Sequence, residues 1–384
     1  MTRPCALYVS PIDMRASDGM AQLQHQLLSA LCSVYGESVD LLSLGAPPVT
    51  ARQWLQEEGL RVNVLDGFYP LIARLNTMLW YGGGVVLCNK LRWVDRFHFP
   101  FRTPLPRSWI ERYDMIVCYY PWSHRLLRLE RAGSKVVADL GDVMADRHER
   151  IGVRRWISLT AEEEKAIFQS DGRCVAVSDA DAQEFERQYG VRPAVLGFVP
   201  PEFQQLMELD SNDRPPRIGF MGAPSYGNEE IMRLLAHPEF LGCISEAGIE
   251  LLVAGGICDT IDPSVLCALE RGGARILGRV RSTSDYYRQI SATVNPIGPS
   301  TGVKIKSIET LIAGRSLITT RWGADSSLCA AFPGQVVYTE WPIEPQAFGR
   351  LAIRVVRAPL PGSASAARAY VEKSTQTLRE MHTI

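Results

Sequence analysis

Residues 296–314 read Pro-Ile-Gly-Pro-Ser-Thr-Gly-Val-Lys-Ile-Lys-Ser-Ile-Glu-Thr-Leu-Ile-Ala-Gly, and they carry the densest chemistry in the chain. An apolar run ending in Val294 feeds a loop with Gly298, Pro299 and Gly302, and then a helix with Lys304, Lys306 and Glu309. A glycine-containing turn that enters a helix N-terminus presents unpaired backbone N–H groups, a ready site for phosphate. Two lysines in the first turn oppose the helix dipole, a cost that makes sense against a bound polyanion. Glu309 lies further along the same helix, where it could accept hydrogen bonds from ribose hydroxyls. A solvated basic turn with an ordinary surface glutamate is the other reading of the same residues.

Carboxylates cluster in the first half. The apolar run Lys135–Ala138 ends in Asp139-Leu140-Gly141-Asp142, followed by Asp146, Arg147, His148 and Glu149. A carboxylate just past the C-terminal end of a parallel strand faces the ligand crevice, where a general base must reach a hydroxyl. Asp139 or Asp142 could equally cap the next helix. His124, after Tyr119-Tyr120-Pro121-Trp122, and the turn Asp18-Gly19 after the first apolar run are further candidates. In the second half, the run Ile218–Met221 is followed by Gly222, where backbone must admit a ligand, and by Asn228, a reasonable helix cap. No basic residue lies between Met221 and Ile231, which shifts any phosphate contact onto Lys304, Lys306 and Arg279.

The stretch from Gly302 resembles the donor loop of GT-B glycosyltransferases of the group 1 type. That family shows Gly-x-Gly-x-Lys-x-Lys-x-x-Glu-(Ala or Thr)-Leu-x-x-Gly, then a strand and Gly-(Ala or Ser). Gly302, Lys304, Lys306, Glu309, Thr310, Leu311 and Gly314 match, as do Leu317–Thr320 and Gly323-Ala324, over roughly thirty residues; Ser300 stands where the family has its first glycine. The resemblance implies a donor-contact set of Gly222, Asn228, Arg279, Thr301, Gly302, Val303, Lys304, Lys306, Ser307 and Glu309. It implies acceptor-side roles for Asp18, Gly19 and His124, with Asp142 or Asp139 as base. Many retaining members carry two glutamates eight positions apart; Glu309 fills the second place and Thr301 the first, which leaves the retaining or inverting course open. The family generally needs no metal and no cofactor beyond its nucleotide-sugar co-substrate. Asp179-Ala180-Asp181 looks like the metal motif of the unrelated GT-A enzymes, but Ser178 with Asp181 three places on reads as an N-cap with an acidic first turn.

Short apolar runs alternate with helical-period segments along the chain, which predicts parallel sheets with helices on both faces. The expected strands are Ala6–Val9, Val39–Leu44, Met115–Tyr119, Lys135–Ala138 and Cys174–Val177, then Arg217–Met221, Glu250–Ala254, Arg275–Leu277, Ala292–Asn295, Ser316–Thr319 and Val336–Tyr338. At 384 residues two domains are expected. The proline- and charge-rich stretch around 210–216 reads as a linker. The division is an acceptor-side domain over 1–200, a linker over 201–216, a nucleotide-sugar domain over 217–362 and a closing helix over 363–384. In GT-B proteins that helix returns to the first domain, and the two α/β domains face a cleft.

A formal charge of −1 gives no argument for nucleic acid. Nine scattered cysteines without Cys-x-x-Cys fit reduced thiols in a cytoplasmic protein. The apolar stretch Ala6–Val9 is too short for a secretory h-region, and Met78–Cys88 is too short to span a bilayer and contains three glycines. Residues 68–112 hold nine Phe, Tyr and Trp positions and seven basic residues against Asp95 and Glu111. Such a mixture suits peripheral contact with an anionic membrane, at the inner face of the plasma membrane, or ordinary aromatic packing under a basic surface.

The expectation is a glycosyltransferase, hexosyltransferase-like and metal-independent. It would move sugar from a nucleotide donor to a glycan or lipid-linked acceptor in cell-surface polysaccharide or glycolipid synthesis. A UDP-sugar epimerase of the same fold and a catalytically silent nucleotide-binding subunit are the alternatives. No strand is followed by Gly-x-Gly-x-x-Gly, which argues against a dehydrogenase.

Overall fold

The computed structural model describes residues 5–11, 19–90, 103–139, 141, 143, 145, 161–170, 172–209, 215–300 and 302–380. They form two compact units: Met1–Gly197 with Thr301–Val303 and Thr375–Ile384, and Phe198–Ser300 with Lys304–Ser374.

The first unit is built on seven strands: β1 (Ala6–Ser10), β2 (Val39–Ser43), β3 (Asn63–Val64), β4 (Met115–Tyr119), β5 (Val136–Asp139), β6 (Arg173–Ala176) and β7 (Ala194–Val195). All pair in parallel, in the order β3-β2-β1-β4-β5-β6-β7. Every residue of β1, β2, β4 and β5 is buried, the pattern of a sheet covered on both faces. Leu7, Val9, Leu42, Ile116 and Val136 meet Ala73 of the helix Phe68–Lys90 in one core. That helix runs through Gly82, Gly83 and Gly84, the three glycines of the Met78–Cys88 stretch, which sit within helical backbone.

In the second unit six strands follow: β8 (Arg217–Met221), β9 (Glu250–Ala254), β10 (Arg275–Gly278), β11 (Ala292–Asn295), β12 (Ser316–Thr319) and β13 (Val336–Tyr338). They too are all parallel, in the order β10-β9-β8-β11-β12-β13. Ile218, Phe220, Val253, Val294 and Ile318 fill the core with Phe240 and Phe348, whose rings stack at 5.6 Å. These two phenylalanines come from the helices Pro238–Glu246 and Pro345–Arg357.

The eleven strands expected from sequence are present, each within a residue or so of its expected ends. Two were missed, β3 and β7, which are two-residue edge strands. Within the stretch read as linker, a short helix, Phe203–Met207, buries Leu206. In each sheet the strand order reverses once, between β1 and β4 and between β8 and β11. Ligands in open parallel sheets bind outside the carboxyl ends of the strands at such a point.

Candidate functional site

At the reversal in the second sheet, the loop after β8 meets the loop after β11. Gly222 follows β8 directly, and a Cβ there would lie 3.0 Å from the Asn228 amide. Gly255, after β9, adopts φ +97°, and a Cβ on it would lie 2.3 Å from the Gly222 carbonyl oxygen. The two glycines therefore let adjacent strand ends close on one another. Asn228 does not cap the helix Tyr226–Leu235. Ser225 does, its hydroxyl accepting from the Asn228 N–H at 3.3 Å. Asn228 is thereby left with its side chain free to span the two loops. Its Nδ2 donates to the Ala223 carbonyl at 2.8 Å, and its Oδ1 accepts from Lys306 Nζ at 2.5 Å.

Lys306 sits on the second residue of the helix Ile305–Ile312, with Lys304 at the N-cap position and no side-chain cap. Its ammonium also lies 4.4 Å from the centre of the Phe220 ring, so one cation is held by an amide oxygen and an aromatic face. Burial first, and then the neighbouring Lys304 charge, bring the Lys306 ammonium down to about 7. A lysine so placed titrates near neutrality and gains most from an arriving anion.

Glu309 is not a surface residue; it is 3% exposed. Burial, with the negative charge of Glu202, pushes its carboxyl up to about 8, against the opposing pull of a Tyr287 hydrogen bond and of Lys306. Tyr287 Oη lies 3.2 Å from Glu309 Oε2 and 3.1 Å from the Lys306 carbonyl oxygen. One hydroxyl hydrogen cannot serve both acceptors well. The Lys306 carbonyl also accepts from the Thr310 hydroxyl, which leaves the Tyr287 hydrogen to Glu309. Glu202 itself accepts from Ser282 Oγ at 2.8 Å and from the Thr283 and Ser284 N–H groups at 3.0 Å each. Neither Tyr287 nor Glu202 carries a sequence signal, since each reaches the site from a distant element.

The remaining expected donor residues are spread around this centre. Ser307 is fully buried and accepts from Asn295 Nδ2 at 2.9 Å. Gly302 has φ +84°, the backbone a glycine supplies. Val303 is half-buried, Thr301 lies outside the described residues, and Arg279 pairs with Asp259 at 2.7 Å. A cavity of about 450 Å³ opens one strand beyond, past the ends of β12 and β13, lined in part by Arg321, Trp322, Tyr338 and Trp341. A Cβ on Gly298 would lie 2.7 Å from the Trp341 ring, so this cavity borders the loop after β11.

In the first unit, Asp139 ends β5 with no solvent exposure, and its Oδ1 accepts from the Gly141 N–H at 3.0 Å. This is a local turn in which the side chain bonds backbone two residues on. Gly141 takes φ +57° there, and Tyr120, at the end of the neighbouring strand, takes φ +64°. Asp142 and Asp18 lie outside the described residues, and Gly19 is the first residue of the helix Gly19–Tyr35 rather than a turn glycine. His124 is buried in the helix Pro121–Leu127, and burial pushes its imidazole down to about 4. It is neutral near pH 7. Ser178 caps the helix Asp179–Tyr189, accepting from the Asp181 N–H, as its spacing predicts.

No family model and no curated protein sequence matches the chain. Solved structures do. HepE of Anabaena, in complex with UDP and glucose, is similar at 12% identity, over 98% of this chain and 97% of that one, with a TM-score of 0.60. A glycosyltransferase from Rickettsia africae ESF-5 is similar at 12% identity over 98% and 94%, with a TM-score of 0.58. WaaG, a glycosyltransferase involved in lipopolysaccharide biosynthesis, is similar at 12% identity over 98% and 95%, with a TM-score of 0.52. Two all-parallel sheets, each reversing its strand order once, and likeness over nearly the whole length of three glycosyltransferases together give this chain the GT-B fold.

Proposed function

We propose that the chain is a glycosyltransferase that moves a sugar from a nucleoside-diphosphate donor to a glycan or lipid-linked acceptor in cell-surface polysaccharide or glycolipid synthesis. One observation carries the reading: Lys306, held by Asn228 and Phe220 at the strand reversal, beside a glycine-containing loop and a helix N-terminus. Such a point collects positive charge where a diphosphate needs it. HepE, solved with UDP and glucose, makes UDP the first nucleotide to test.

In this reading the bond from the anomeric carbon to the diphosphate oxygen breaks, and the acceptor oxygen forms the new glycosidic bond. Lys304, Lys306 and the backbone N–H groups of the first helical turn answer the charge on the leaving diphosphate. Their fixed positions stabilise it without reorganisation. Glu309, neutral at pH 7, offers both a donor and an acceptor to a ribose. The acceptor's proton goes to a carboxylate if the course is inverting. Asp142 is the stronger assignment, because Asp139 is engaged with its own turn. The place of action would be the cytoplasm.

Incubation of the chain with UDP-sugars and candidate acceptors tests the reading. Free UDP should be released only when donor and acceptor are both present. A change of donor sugar without UDP release would instead mark an epimerase. Binding of UDP-sugar with neither outcome would mark a silent subunit.

A further inference from the structure

The cavity of about 450 Å³ past the ends of β12 and β13 shares no lining residue with the donor contacts around Lys306. Its volume falls in the range of small-molecule sites. Trp322 and Trp341 stand in its wall with ring centres 6.4 Å apart and planes at 83°. Trp341 is 38% exposed although one edge of its ring packs on Gly298. Hydrogen bonds fix the base of this wall. The Thr320 hydroxyl donates to the Ile297 carbonyl and accepts from the Trp322 N–H at 3.3 Å. Two large aromatic rings are thus held at the mouth of a cavity, where they offer apolar faces to whatever enters. All of these residues belong to the second unit.

Charge narrows the ligand. Arg321 lies over the Trp322 ring at 4.3 Å, a contact that leaves its N–H donors for other partners. Glu340 brings acceptors to the same wall. Among the described residues neither of these two side chains makes a hydrogen bond or an ion pair. An anion here would meet Glu340, and a cation would meet Arg321. The ligand that suits both is neutral and carries hydroxyls, each able to donate and to accept. The aromatic rings require apolar C–H surface on the same molecule. A saccharide combines the two, with C–H groups on the faces of its ring and hydroxyls around the rim.

We propose that this cavity is a binding site for a neutral saccharide. Ile297 and Gly298, which border it, lie in the loop that runs from β11 to the helix Ile305–Ile312, so the saccharide sits beside the donor loop. In the proposed transfer, on which this second step rests, it is the glycan of the acceptor.

Ligand-observed NMR titration of the full chain with maltotriose, cellotriose and chitotriose, without nucleotide, tests the site. At least one should bind saturably. Trp341→Ala should weaken that binding up to about tenfold, the loss of one aromatic contact. Arg321→Ala should weaken it by a similar factor through its lost donors, while Trp341→Phe should keep most of the affinity. Circular dichroism checks that the variants keep the fold. Calorimetry should give Arg321→Ala the UDP affinity of the wild type, and UDP should not displace the saccharide. Binding of none of the three, wild-type binding in both alanine variants, or displacement by UDP overturns the proposal. For the acceptor role, Arg321→Ala should raise KM for a glycan acceptor and leave KM for the donor unchanged. Saccharide binding without sugar transfer would overturn that role together with the proposed reaction, and would leave the binding site standing.

Discussion

Lys306 and Glu309 are three residues apart, and burial pushes both toward their neutral forms. The consequence for stability differs in sign. Between pH 4.5 and about 8 the folded chain keeps the Glu309 proton that the unfolded chain has lost, so this group's contribution falls as pH rises. From about 7 to 10.5 the unfolded chain keeps the Lys306 proton that the folded chain has shed, so that contribution grows with pH. Glu309→Gln retains volume and hydrogen bonding without the titration. The unfolding free energy of the wild type minus that of this variant should therefore fall steadily from pH 4.5 to 7 in urea titrations, and a flat difference would refute the buried neutral acid. The aspartates of the first unit separate in the same residue-by-residue way. Asp142→Asn should bind donor normally and lose about 10²–10⁴-fold in turnover if Asp142 is the base. Asp139→Asn should turn over as the wild type and cost about 1 kcal/mol through its buried turn. Wild-type turnover in both variants would exclude an inverting base at either position.

At the scale of elements, the helix that follows β8 divides its work between two residues that are alike in chemistry. Ser225 caps, and Asn228 anchors Lys306 from 78 residues away. Ser225→Ala should lower stability by about 1 kcal/mol and leave nucleotide affinity unchanged. Asn228→Ala should weaken nucleoside-diphosphate binding on the order of tenfold, by loosening the lysine it holds. Denaturation and calorimetry on the two variants read both effects, and equal binding losses would mean that the loop geometry alone matters. Much of this was legible beforehand. Strands such as Glu250–Ala254, with four buried apolar residues in a row, announce themselves. Asn228 reads from sequence as a cap because its neighbourhood offers two cap-forming residues three apart, and only the backbone decides for Ser225. The pairs β2–β3 and β6–β7, each only two residues in register, are too short to show a period.

For the molecule as a whole, sequence pattern reached the fold because both halves repeat the same alternation of buried strand and helix. The lysines and the glutamate were legible from their spacing along one helix. Their environment was not. Phe220, Asn228, Tyr287 and Glu202 converge on that helix from other elements, with no periodicity to link them. In the proposed reading, that convergence is what would make a basic turn a phosphate site. Calorimetric titration of UDP and of uridine into the wild type and the Lys306→Met variant tests it most directly. UDP affinity should fall by about tenfold or more in the variant, the loss expected for one charge-assisted contact, with uridine affinity unchanged. Equal losses for both ligands, or no loss for UDP, would contradict it.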